Sequence, residues 1–278
     1  MCWRSGIILL LLAGNALAVD SYIVGAGLEG DSADGVSVSL VGDLAVTENT
    51  WLTAAIARSK ADAPLIQTRE TWYGDLGIDH WFDPVGVRLG VAYWGDSDIL
   101  DSRDSRASLY WRGDKAMLAG QYEYRDFRFE LPATDFFPGR TVRFDANGIG
   151  LSTRFDLSEK VSLGLYGMDY DYSVNLRLDR NRGIFDLFSF SRLSLINSLV
   201  DYRAGMTLGL EAGQQHWELG LSSQKVEFDG STTRSATLRL LTPMGERGDV
   251  ELSLGVDDSD LYDTVTFLSV FLYFYGGS

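Results

Sequence analysis

The chain has 278 residues, with 24 Lys and Arg against 39 Asp and Glu, and its formal net charge of -15 leaves no basic surface for general nucleic-acid binding. Mean hydropathy is near neutral at -0.03, and no stretch approaches the roughly 20 consecutive apolar residues that a membrane helix needs. Glycine is abundant (30), proline scarce (5), and Cys2 is the sole cysteine, which excludes disulfides within the chain and thiolate metal clusters.

The N-terminus predicts a cleaved leader over residues 1–18. Arg4 is the basic flank, Gly6 to Gly14 a short apolar core, and Ala16-Leu17-Ala18 a small-x-small site. An uncleaved anchor is the alternative, but the apolar core is too short to span a bilayer. The mature chain, 19–278, would then carry no thiol.

From there the pattern is alternation. Val87, Leu89, Val91 and Tyr93 share one face against Gly86, Arg88, Gly90, Ala92 and Trp94. Val250, Leu252, Leu254 and Val256 stand against Glu251, Ser253, Gly255 and Asp257. Period two over such lengths means strands with one apolar and one polar face. About 14 segments show it, near 20–30, 34–43, 50–60, 67–83, 85–96, 104–112, 115–132, 141–157, 160–178, 199–213, 216–229, 231–242, 248–258 and 263–276. Only Ile184 to Leu199 could be an amphipathic helix, or an added hairpin.

Two further patterns come from the connections. Tight ones (LAVTEN, FDPVG, RGDK, DLSEK, AGQQ, TPMGERG) alternate with longer or more acidic ones (EGDSADG, SKADAPLIQ, GDSDILDSRD, LPATDFFPGR, Asp179–Ser198, FDGS, DDSDLYD). A barrel in an outer membrane has such a rule, with short inner turns and longer outer loops, and a soluble sandwich does not. Trp51, Trp81, Trp111 and Trp217 fall beside tight turns, and Trp72 and Trp94 toward the long connections. They read as two aromatic girdles at headgroup level, against the plainer reading that large aromatics end many strands.

The predicted fold is therefore all-β: a transmembrane antiparallel up-and-down barrel of about 14 strands, with 12–16 admitted and an even count returning both termini to one side. Closure leaves no unpaired edge in lipid. With the apolar face toward lipid, the lumen is predicted to hold Asp75, Asp79, Arg88, Arg106, Glu123, Arg125, Arg154, Asp201, Arg203, Glu211, Arg239 and Glu251. Interleaved signs suit a wet pore of weak selectivity, or else a paired network that fills the barrel. In Val161–Arg180 and Thr141–Asp156 the apolar parity flips midway, which predicts β-bulges and outer halves that project above the membrane. The stretch 181–198 either folds inward as a constriction or packs on that projecting sheet.

On these features (leader, alternation, swapping loop lengths, aromatic last strand) the chain resembles Gram-negative outer-membrane β-barrel proteins over its mature length, and in size the monomeric fourteen-stranded porins. The resemblance implies a last strand read by the barrel-assembly machinery, with Phe271, Tyr273 and Tyr275 at the alternate positions. The tail Gly276-Gly277-Ser278 departs from the usual terminal aromatic. It implies contact with the lipid bilayer and lipopolysaccharide, a monomer, and passive diffusion of small polar solutes or ions. The alternatives are a non-conducting structural or interaction barrel and an outer-membrane hydrolase. For the hydrolase, His80 and His216 both fall beside the tight turns, away from an outer-leaflet substrate. The acidic runs GDSDILDSRD and DDSDLYD lack the glycine and terminal glutamate of a calcium loop and read as solvated loops. No dinucleotide or phosphate-loop motif is present, and no cofactor is expected.

Overall fold

The computed structural model describes residues 21–62, 68–96, 99–131, 139–174, 192–193, 199–260 and 264–277. Fourteen strands follow in chain order: β1 (Ser21–Asp31), β2 (Val36–Thr47), β3 (Thr50–Ala61), β4 (Arg69–Trp81), β5 (Val85–Asp96), β6 (Leu100–Arg112), β7 (Ala116–Leu131), β8 (Arg140–Asp156), β9 (Val161–Tyr172), β10 (Val200–Ala212), β11 (Gln215–Val226), β12 (Thr232–Pro243), β13 (Gly248–Ser259) and β14 (Val265–Gly277). Every strand pairs antiparallel with its sequence neighbours. β1 pairs with β14 from Ser21↔Gly277 to Asp31↔Phe267, so the sheet closes on itself. The fold is a closed 14-stranded up-and-down barrel, as the alternation predicts.

Large apolar side chains face outward and are exposed, among them Leu28, Leu40, Ile56, Leu76, Leu151 and Leu254. A continuous apolar exterior of this extent suits hydrocarbon rather than water. Closure satisfies the backbone: with each strand hydrogen-bonded on both sides, no edge is left in that belt. At the seam, aromatic side chains of β14 lie over glycines of β1. A methyl group on Gly25 would sit 2.7 Å from the Tyr273 ring, and one on Gly27 would overlap the Phe271 ring. Phe271 and Tyr273 therefore point inward, while Leu268, Leu272 and Phe274 take the exposed positions. Tyr275 alternates inward with them.

The expected bulges are corrected over the described residues, which leave out 175–180. β7 pairs with β8 without interruption from Ala116↔Phe155 to Leu131↔Arg140, and β8 with β9 from Ala146↔Tyr172 to Asp156↔Ser162. Side chains keep their faces, and what reverses is the polarity of those faces. Toward the long connections, Phe127, Phe129, Phe144, Ala146 and Tyr170 fill the inside, with the rings of Phe127 and Phe144 stacked at 4.8 Å. Arg128, Arg143 and Asp145 stand outside. β7 and β8, at 16 and 17 residues, exceed the about 9–11 that a tilted strand needs to cross a bilayer. Their upper halves thus have the section of a water-soluble barrel wall. Register shifts occur elsewhere, between Val200 and Tyr202 and between Ala45 and Thr47.

The run GDSDILDSRD is also corrected where it is described, from a solvated loop to the paired ends of β5 and β6, with 97–98 outside the described residues. Gly95 has φ +138°, and a Cβ there would lie 2.5 Å from the Asp101 Cα, so only glycine admits the turn. Asp96, Asp101 and Asp104 are buried and sit beside Arg69, Arg128 and Arg125 respectively.

Candidate functional site: a charged neck in the lumen

The inner face of β4 to β7 and β10 carries short carboxylates beside long guanidinium groups on neighbouring strands. Nearest the tight turns, Arg88 Nη2 lies 2.6 Å from Asp79 Oδ2, and the Tyr110 hydroxyl donates to Asp79 Oδ1 at 2.7 Å. One step further in, Asp75 holds the Arg106 guanidinium and accepts from the Tyr73 hydroxyl at 3.0 Å. Next comes a cluster around Glu123. Its Oε2 accepts from Tyr170 at 3.0 Å and from Arg203 Nη2 at 3.4 Å, and its Oε1 lies 3.5 Å from Arg125 Nε. Arg125 also stands 3.3 Å from Asp104, which accepts from Ser102. Its guanidinium lies 4.8 Å from the Phe127 ring centre and 5.4 Å from that of Trp94. Burying Arg125 is tolerable because two carboxylates and aromatic faces replace its water.

This cluster lies between two cavities. The lower, about 500 Å³, is lined by Asp43, Asp75 and Arg88 together with Arg106, Glu123 and Arg203. The upper, about 360 Å³, is lined by Trp94, Asp104, Arg125 and Leu193, again with Arg106, Glu123 and Arg203. The three shared residues form a neck where the two spaces meet.

The other residues singled out from sequence spread over the rest of the wall. Arg239 bridges Glu218 at 3.2 Å and Glu251 at 3.3 Å, and Glu251 also accepts from the Tyr273 hydroxyl at 3.4 Å. Arg154 pairs with Asp156 and Glu211 with His216 Nδ1 (2.7 Å) at the tight-turn mouth, around a cavity of about 430 Å³. Asp201 falls at the β10 register shift and pairs with Lys225, whose alternation sets it on the outward face. Asp201 therefore belongs to the rim and is corrected from the lumen-lining set.

The tryptophans divide. Trp72, Trp111 and Trp217 alternate outward. The girdle expectation is corrected for the other three, which face inward. Trp94 is buried in the upper core, Trp81 lies against Arg112, and Trp51 shares the face of its pairing partner Asp79. His80 faces outward, with Nδ1 2.8 Å from the Thr50 hydroxyl. Among the described residues no serine hydroxyl is hydrogen-bonded to either imidazole.

At the upper mouth, Arg192 of the β9–β10 connection reaches inside. It lies 3.5 Å from Glu29 and 3.6 Å from Asp257, with its guanidinium 3.4 Å over the Phe267 ring. Of the 181–198 stretch only Arg192 and Leu193 are described, and both contribute to the inside. The rest lies outside the described residues, as do 261–263 of DDSDLYD.

Tyr73, Tyr110 and Tyr170 complete the neck and were not singled out from sequence. Tyr73 and Tyr110 sit on the charged parity of their strands (Tyr73 with Asp75, Tyr110 with Arg106), which is an available signal. Tyr170 shares its inner face with Met168 while Asp169 and Asp171 face out, so its strand carries no such signal.

No family model and no curated protein matches the chain. Solved structures do match. CymD, described as a monoaromatic hydrocarbon channel, superposes with TM-score 0.56 at 8% identity, covering 94% of this chain and 89% of that one. OmpT of Vibrio cholerae expressed in the outer membrane gives TM-score 0.53 at 8% identity, with 93% and 97% covered. The in-vitro folded trimer form of OmpT gives 0.52 at 8% identity, with 93% and 99% covered. At these identities the likeness is one of fold, and the fold is that of outer-membrane β-barrel proteins.

Proposed function

We propose that the barrel resides in an outer membrane, exported by the leader over residues 1–18, and works as a porin-like channel for passive diffusion of small polar solutes or ions. The observation that carries this reading is the pair of lumen cavities meeting at Arg106, Glu123 and Arg203. A barrel filled by its own side chains would leave no such spaces in series. The apolar belt supplies the lipid contact. β1 pairing with β14 means that one copy encloses one pore, in keeping with a monomer. The last strand, with Phe271, Tyr273 and Tyr275, would serve the assembly machinery.

A second reading is a non-conducting barrel whose outer surface contacts lipopolysaccharide or other surface partners. It draws on Arg192 spanning from Glu29 to Asp257 at the mouth. Planar-bilayer recording of the refolded protein separates the two. Stepwise conductance is expected for the channel. A heat-modifiable, folded barrel that never opens at any voltage would leave the second reading.

A further inference from the structure

The neck has a polarity that the overall charge conceals. At four arginines of the lumen the cation is presented and the anion recessed, whereas Arg125 is as buried as Asp104 and Glu123 beside it. The Arg88 side chain is 63% exposed against 16% for Asp79, Arg106 39% against 14% for Asp75, and Arg203 45% against 9% for Glu123. Arg239, on the opposite wall, is 44% exposed against 25% for Glu218 and 17% for Glu251. The cause is side-chain length. A carboxylate one or two carbons from the wall stays against it, while the guanidinium reaches over it into the lumen.

We propose that the lower cavity and neck form an anion subsite, built by Arg88, Arg106 and Arg203, that selects small carboxylate-bearing solutes over cations. The proposal rests on the channel reading above and names its solute class. Each guanidinium has five N–H donors in a planar fork, and a single carboxylate of the wall engages only part of them. All three arginines line the lower cavity, and a guanidinium fork matches a second carboxylate in bidentate fashion. Low-dielectric walls concentrate this local field at the constriction, where a permeating ion is closest to it. Asp43 lines the same cavity and opposes the effect, but Asp75, Asp79 and Glu123 are each held by an arginine and a tyrosine. The acid excess of the chain lies in part on the outward face above the belt, at Asp126, Asp145, Asp169 and Asp171. At the tight-turn mouth the rule lapses: Glu211 is 51% exposed against 25% for His216. The selectivity therefore belongs to the neck and not to the entrance.

The test is the reversal potential of the refolded, heat-modifiable wild-type channel in a KCl gradient, followed by replacement of chloride with acetate. The expected sign is anion-selective, by several-fold for chloride over potassium, with acetate carrying current. Arg203→Gln and Arg88→Gln should each bring the ratio toward one. Glu123 keeps Tyr170 and Arg125 in the first variant, and Asp79 keeps Tyr110 in the second. Open channels that prefer potassium, or that show no preference, overturn this inference and leave the channel reading standing. A folded barrel with no conductance overturns both.

Discussion

The lower and upper halves of β8 are built on opposite plans. Near the tight turns Ile149 and Leu151 point out and are exposed, with Gly148 and Gly150 inside. A few residues further along the same strand, Arg143 and Asp145 point out while Phe144 and Ala146 are buried within. β7 and β9 repeat the reversal, with Tyr122 giving way to Asp126 outside, and Leu165 to Asp169. Pairing is continuous across the change, so the backbone is indifferent to it. What differs is the solvent each half meets. The lower half turns its apolar side chains outward, as lipid requires, and keeps its charged side chains within. The upper half has water outside and must bury its own aromatics.

That contrast can be broken in graded ways. The largest effect is expected at Phe127, fully buried in the upper core. Phe127→Ala should cost about 3–5 kcal/mol in denaturant unfolding from lipid, as for large core truncations. A loss under about 1 kcal/mol would mean that the upper half is not packed as a core. Next come two arginine insertions on one face of β8. Leu151→Arg should cost about 2–4 kcal/mol and Asp145→Arg about 0–1, because the penalty depends on depth in the bilayer. Equal costs would erase the boundary between the halves. The same boundary should appear without an energy measurement. Single cysteines replacing Arg143, Asp145, Ile149 and Leu151, in a chain lacking residues 1–18 and so otherwise thiol-free, should react with a water-soluble maleimide only at the first two positions. The smallest effect is expected at Arg128→Ala. Its partner Asp101 is recessed but Arg128 itself is 38% exposed, and partly solvated pairs contribute at most about 1 kcal/mol.

The contrast also marks how far the residues alone disclose this molecule. Strand number and order were legible because alternation and swapping connection lengths are both local signals. The parity change in Thr141–Asp156 was legible as well, but its cause was not. An inserted residue and a change of solvent give the same pattern in one strand, and only the unbroken pairing of Glu123↔Gly148 and Phe127↔Phe144 tells them apart. The tryptophans show the same gap. Position near a strand end was visible, but parity relative to the belt decides which face Trp81 and Trp94 take. Charged lumen positions were visible one strand at a time. Their partnerships were not, since Arg203 meets Glu123 across 80 residues of chain. The acidic run around Asp101 misled for a related reason, because the arginines that neutralise it lie on β4 and β7.

The central claim is that solutes pass through the lumen at Arg106, Glu123 and Arg203, and one recording tests it most directly. A thiol-free chain carrying Arg203→Cys is reconstituted in a planar bilayer, and a bulky neutral maleimide is added during recording. The account predicts open channels whose conductance falls in steps as the neck is labelled. Unchanged conductance after complete labelling, confirmed by mass, would place the conducting path elsewhere and contradict it.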